Sequence, residues 1–186
     1  MQGSYWLRGR FMADLAEILM LEHFAIKDAR WLVGGPFDSQ RFSRFRSYLK
    51  NCHIEVEEKI CFPILEGFTF TDSAVFNDRV ERIKADHKLI DTLAQNLLKW
   101  SESGNIDLLK ERTPLFYRLL TDHNATEETD LFPRWADIDK KTLKDTTKDA
   151  LSVIESFGRG EYMESLSLNY STFRYFFRDV LSTTNG

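Results

Sequence analysis

The residues of this chain best suited to chemistry are written twice. His53-x3-Glu57-Glu58-x3-Phe62-Pro63 recurs as His123-x3-Glu127-Glu128-x3-Phe132-Pro133, with identical spacing. The chain has 4 histidines, and the other two, His23 and His87, each precede one copy by a helix length. A histidine and a carboxylate four residues apart, in two halves, is the pattern that a metal pair buried in a helical bundle requires.

On a helix, successive residues turn by ~100°, so positions i and i+4 stand ~40° apart on one face. His53 and Glu57 therefore point the same way, as do His123 and Glu127, whereas Glu58 and Glu128 are rotated ~100° further. Leu49, Ile60 and Ile64 surround the first pair with apolar neighbours, and Phe116 and Leu119 the second. His23 lies between Leu19 and Ile26 on its own inward stripe, and His87 between Ile83 and Ile90. An imidazole or carboxylate directed into an apolar interior is costly unless something binds it. Metal ions would satisfy both kinds of group together.

The ligand set read from this spacing is His23, His53, His87 and His123 with Glu57 and Glu127. Four imidazoles and two carboxylates suit two borderline ions such as iron better than one closed structural zinc site. Each ion would take two histidines, with the glutamates free to bridge. Open coordination positions would then admit water or a small ligand such as dioxygen, peroxide or nitric oxide.

Helices must position these groups, and the chain reads as all-α. Strand signals are absent, with no run of alternating β-branched residues and no hairpin turn between apolar runs. A first helix is expected from Arg10 to Val33, stopped by Gly34-Gly35-Pro36. Asp38 or Ser39 would cap a second, running to about Phe62, where Pro63 ends or kinks it. A third is expected from Asp72 or Ser73 to about Ser101. After Gly104-Asn105, a fourth carries Pro114 through Phe132, with Pro114 near its first turn or just before it. The two Phe-Pro pairs are read as helix ends. Four long helices with short connections predict an antiparallel up-down-up-down bundle over residues 10–135.

Residues 136–186 form a C-terminal extension. Leu143, Thr147, Ala150, Leu151 and Ile154 make one helical stripe ending at Gly158, and Tyr162, Leu166, Tyr170, Phe173, Phe177 and Leu181 make a second. These two helices are expected to pack on the bundle, to form a homodimer surface, or to cap the entrance to the metal site.

Composition agrees with a globular domain: 42% hydrophobic, 29% charged, and a net charge of -4 that argues against a nucleic-acid surface or an anionic membrane. No apolar run approaches the ~20 residues of a membrane span. The N-terminal MQGSYWLRGRFMADLAE has acidic residues where an export signal needs an apolar core, so a cytoplasmic location is expected. Cys52 and Cys61, on one expected helix, would stand ~13 Å apart, too far for a disulfide, so both are expected as reduced thiols.

A lone histidine, a His-x3-Glu-Glu-x3-Phe-Pro motif, another lone histidine and the motif again resemble the hemerythrin-like domain over about residues 10–135. The resemblance implies a four-helix bundle around a non-heme di-iron centre with oxo or hydroxo bridges. It implies His23, His53, Glu57, His87, His123 and Glu127 as ligands. Two positions depart from the oxygen carriers of that family. They have a further histidine one turn after the third-helix histidine, where this chain has Asp91, which could ligate or could pair with a neighbour such as Lys88. Their last carboxylate falls five residues after its histidine, which would select Glu128 rather than Glu127.

The resulting expectation is a di-iron protein that binds or senses dioxygen or related small molecules. The alternative is an enzyme acting on peroxide or nitric oxide, or in iron–sulfur repair. A third possibility is a bundle whose metals only staple the fold.

Overall fold

Asp14 starts the first helix with a capping box: its carboxylate accepts from the Glu17 amide at 3.0 Å, while the Glu17 carboxylate accepts from the Asp14 amide at 3.3 Å. The structure, a computed structural model, describes residues 14–68 and 73–166. Among these residues every regular element is helical. Helix α1 spans Leu15–Lys27 and stops short of the expected Val33. The Lys27 carbonyl, which a longer helix would give to the Trp31 amide, accepts the Tyr117 hydroxyl instead, and the chain tightens into a 3-10 turn over Arg30–Leu32.

Helix α2 covers residues 39–67, with Asp38 as N-cap accepting from the Arg41 amide at 2.9 Å. It does not end at Phe62. Two π turns, Leu49–His53 and Glu57–Cys61, interrupt its α-helical pitch, and each contains one residue of the first His-x3-Glu pair. The Phe62 amide reaches back five residues to the Glu57 carbonyl, and Pro63 enters at the start of the next α segment, Phe62–Gly67. At that position no backbone donor is required, so the helix continues past the proline.

Helix α3, Ser73–Glu102, and helix α4, Ile106–Asp130, pack against each other along their length. Gly104 turns between them at φ +68, a left-handed conformation that favours glycine, and Asn105 caps α4. Pro114 lies inside α4, eight residues beyond its start, rather than near the first turn. Asn105 provides the N-terminal signal in its place. The second Phe-Pro pair does follow a helix end, opening a 3-10 turn over Phe132–Asp137.

Helices α5, Lys140–Phe157, and α6, Arg159–Ser165, complete the described chain, joined at Gly158 with φ +106. Tyr170, Phe173, Phe177 and Leu181 of the second expected stripe lie outside the described residues.

Two apolar clusters fill the interior, and the site residues fall between them in sequence. On α2, Phe42, Phe45 and Tyr48 belong to one cluster and Val56, Phe62 and Leu65 to the other, on either side of His53. On α3 the order is reversed, with Phe76, Val80 and Ile83 before His87 and Ile90, Ala94 and Leu97 after it. On α4, Phe116 and Leu120 precede His123, and Leu131 and Phe132 follow Glu127. Helix α5 joins both clusters through Ala150 on one side and Leu151 and Ile154 on the other. Removing a fully buried ring such as Phe62 or Phe116 costs about 3–5 kcal/mol. No described helix is long and apolar enough to cross a membrane.

Candidate metal centre

Each of the first four helices contributes inward-facing polar groups at its middle or lower third. All six residues read from the spacing are buried: His23, Glu57 and Glu127 at 0% exposure, His53 at 1%, His87 and His123 at 3%. The structure brings them together in two overlapping sets, each able to hold an ion: His23, His53, Glu57, Glu127, and Glu57, His87, His123, Glu127. The two glutamates belong to both.

Glu57 Oε1 lies 3.3 Å from His53 Nε2 and 3.5 Å from His23 Nε2, while its Oε2 lies 3.3 Å from His87 Nε2. Glu127 Oε2 lies 3.3 Å from His23 Nε2 and 3.5 Å from His123 Nε2, with its Oε1 3.8 Å from His87 Nε2. These separations are long for hydrogen bonds. They suit two ligand atoms each ~2.1 Å from a shared ion, which stand roughly 3.0–3.4 Å apart at ordinary coordination angles. Both oxygens of Glu57 and of Glu127, and Nε2 of His23, His53 and His87, are buried without a hydrogen-bond partner. Orphaned acceptors of this kind are rare in a folded interior, and cations in the two sets would satisfy them together.

The outward nitrogens are held by carboxylates. His53 Nδ1 donates to Glu22 at 2.6 Å, His87 Nδ1 to Glu58 at 2.8 Å and His23 Nδ1 to Glu128 at 3.1 Å. His123 Nδ1 faces Asp86 at the longer distance of 3.9 Å. A proton fixed on Nδ1 leaves the Nε2 lone pair directed inward, the tautomer that a metal ligand needs.

This arrangement assigns a task to each part of the repeated motif. The histidine and first glutamate face the centre. The second glutamate and the phenylalanine hold the lone histidine of another helix: Glu58 and Phe62 on His87, Glu128 and Phe132 on His23. Phe62 stacks on His87 at 5.8 Å between ring centroids, and Phe132 packs on His23 at 5.0 Å. The phenylalanines thus wall the site as well as filling the helix ends. Glu128 lies outside both four-residue sets, where it also accepts from Lys27 Nζ at 2.7 Å.

Asp91 is likewise outside. It accepts from Arg46 at 2.9 Å and Gln95 at 2.8 Å and pairs with Lys50 at 3.3 Å, so its partners come from α2 and its own helix rather than from Lys88. Glu22 and Asp86 were not singled out by spacing. A signal for them existed: each immediately precedes a lone histidine, extending the internal repeat to acidic-His on α1 and α3.

With protons as the only counter-ions the cluster is strongly polarised. Burial opposes charge on His23 and His87, yet Glu127, Glu128 and Glu57 hold His23 well above the ordinary imidazole range, and Glu57 and Glu58 raise His87 to about 10. Burial opposes an ionised Glu57 too, but His53, His23 and His87 keep it well below the usual carboxyl value. Burial pushes Glu127 up to about 7, with Glu57 adding to the effect, and pushes His123 down to about 3, with His87 adding. Two fully buried carboxylates ringed by further acids favour positive charge at their centre.

Cys52 and Cys61 are both buried free thiols. Burial raises both above the ordinary thiol value, with Glu22 adding at Cys52 and Glu57 at Cys61, so neither is an activated nucleophile.

Comparison with curated proteins and with solved structures yields no match. The family model described as the hemerythrin HHE cation binding domain matches residues 12–135, which contain both motif copies and both lone histidines. A match over that share of the chain, ending just beyond the second Phe-Pro pair, places the protein in the hemerythrin HHE cation-binding domain family.

Proposed function

We propose that this protein holds two iron ions in the His23–His53 and His87–His123 sets, bridged by Glu57 and Glu127, and binds or senses dioxygen or a related small molecule. The observation that carries the reading is the sharing of two fully buried, unpaired carboxylates between two histidine pairs. A single ion would leave one pair of imidazoles orphaned. Two divalent ions match the donor set in number and in borderline character. Held by these residues, two ferrous ions would supply the electrons for binding or reducing dioxygen, peroxide or nitric oxide.

The chain's own groups do the rest. Glu22, Glu58 and Glu128 orient the imidazoles, while Phe62 and Phe132 keep water away. In the same reading α1 to α4 run up, down, up and down, as the alternating order of the two apolar clusters along α2, α3 and α4 supports. Buried unpaired thiols accord with a reducing, cytoplasmic setting.

The test is anaerobic reconstitution with ferrous iron, a count of metals per chain, and then admission of oxygen with the spectrum recorded. A band that appears under oxygen and reverses under argon supports binding. Irreversible oxidation with catalytic loss of added peroxide or nitric oxide supports the enzymatic alternative. Fewer than two ions per chain would sink the di-iron assignment.

A further inference from the structure

Glu22 is the one fully buried carboxylate among the described residues that lies outside both four-residue sets. It has two hydrogen-bond partners, both buried: His53 Nδ1 at 2.6 Å on one oxygen and the Tyr162 hydroxyl at 2.7 Å on the other. Tyr162 sits on α6 at 0% exposure, beyond the residues that the family model matches. The turn at Gly158, with φ +106, sets the start of that helix, and Tyr162 packs edge-on against Tyr48 at 5.8 Å. Tyr48 in turn stacks on His53 at 6.0 Å. The Tyr48 hydroxyl also faces Glu22, whose charge adds to burial in holding the phenol well above its ordinary range.

The other half of the site has no such chain of contacts. Asp86, the counterpart of Glu22, is 43% exposed and stands 3.9 Å from His123 Nδ1, which has no hydrogen-bond partner. A carboxylate with both oxygens engaged in a dry setting keeps one orientation, and so fixes the tautomer and tilt of the imidazole it accepts from. An imidazole without that support must be ordered when the ion arrives, which weakens binding.

We propose that Tyr162 is a positioning residue for the metal centre: by holding Glu22 it fixes His53, so that the C-terminal helices make the His23–His53 position the tighter of two unequal metal positions. The proposal rests on the two-ion reading above. It adds that the extension is part of the site rather than an appendage to it, and that the two positions differ in affinity.

Titration of the metal-free full chain with Co(II), followed by visible absorption and equilibrium dialysis, separates these claims. The wild-type chain is expected to fill in two unequal steps. Tyr162→Phe, which removes only the hydroxyl, should weaken the tighter step by about 10-fold and leave the weaker step in place. Glu22→Gln should weaken the same step as Tyr162→Phe, and provides the second variant if the first folds poorly. In a His53→Ala background the Tyr162→Phe change should lose its effect, because its influence passes through that ring.

Two equal steps in the wild-type chain, no change in Tyr162→Phe, or equal weakening of both steps would each overturn the inference while leaving the two-ion reading intact. A wild-type chain that takes up no Co(II) would remove both.

Discussion

Glu57 Oε2 lies 3.3 Å from His87 Nε2, although the two residues come from different halves of the repeat and from different helices. Its other oxygen lies 3.3 Å from His53, four residues earlier on the same helix. One carboxylate therefore joins a local pair, dictated by helical spacing, to a distant histidine that only the tertiary fold supplies.

That sharing predicts an unequal ranking of single substitutions. His53→Ala or His123→Ala removes one donor from one set and should cost one ion per chain. Glu57→Gln removes one of the two anionic groups common to both sets, so metal content should fall below one per chain, with affinity reduced beyond the ~10–100-fold typical of losing an outer partner. Elemental analysis of the purified variants checks the order. Retention of two ions by Glu57→Gln would show that the carboxylate does not bridge.

Asp91 gives the opposite expectation. It sits where the oxygen carriers of the family have an additional histidine, yet Arg46, Lys50 and Gln95 engage it away from the cluster. Burial works against its charge, but Gln95 and Arg46 hold its carboxyl below the usual range. Asp91→Ala should leave the metal count at its wild-type value. It should lower stability by about 1 kcal/mol, roughly 2–4 °C in Tm, because the ion pairs are only partly buried. Metal analysis and thermal melting of one sample read both quantities.

The contrast between these residues explains how much of the site was legible beforehand. His53–Glu57 and His123–Glu127 are local, and the 3.6-residue period fixes their common direction without knowledge of the fold. Glu22–His53 and Glu58–His87 join residues 31 and 29 apart, so only the packing of helices reveals them. Helix ends followed the same division. Asp38 is a local cap and acts as such, whereas at the early end of α1 the Lys27 carbonyl accepts from Tyr117, 90 residues away. Pro63 is expected to end or kink the helix because an α-helical ladder would lose a donor there. The π turn before it changes the ladder that proline would interrupt. Tyr162 lies on a helix, but nothing in its spacing points to Glu22.

Pro114 is exposed inside an otherwise regular helix, where it leaves the Lys110 carbonyl without its usual amide donor. Replacing it should therefore stabilise the chain. Pro114→Ala is expected to raise stability by about 1–3 kcal/mol, with no change in metal content, since the residue is nine positions before His123. Denaturant unfolding measures the gain. A loss of stability would mean that the proline's fixed backbone angle is needed for the path of α4.

The strongest pH dependence belongs to the metal-free protein. Glu127 keeps its proton to about 7 in the folded chain, against an ordinary value of 4.5, while His123 stays neutral down to about 3, against 6.5. Between 4.5 and 6.5 the folded form thus binds one more proton at Glu127 and one fewer at His123, and the two effects on stability cancel. His87 has no counterweight. Its folded value of about 10 against 6.5 gives the folded form an extra proton across that interval, a contribution fully present below 6.5 and lost as pH rises toward 10. His23, also raised, acts in the same direction. From pH 7 to 8.5, below the ordinary thiol value of 9.0 where buried Cys52 and Cys61 would add a loss of the same sign, the chelator-treated protein should lose about 1–2 kcal/mol. That is a fall of roughly 2–8 °C in Tm. In the metal-loaded protein the ions take the place of those protons, so its melting temperature should stay level over the same interval. Parallel melting curves of the two forms, measured at half-unit steps in pH, test the difference, and a level metal-free curve would contradict the protonated His87.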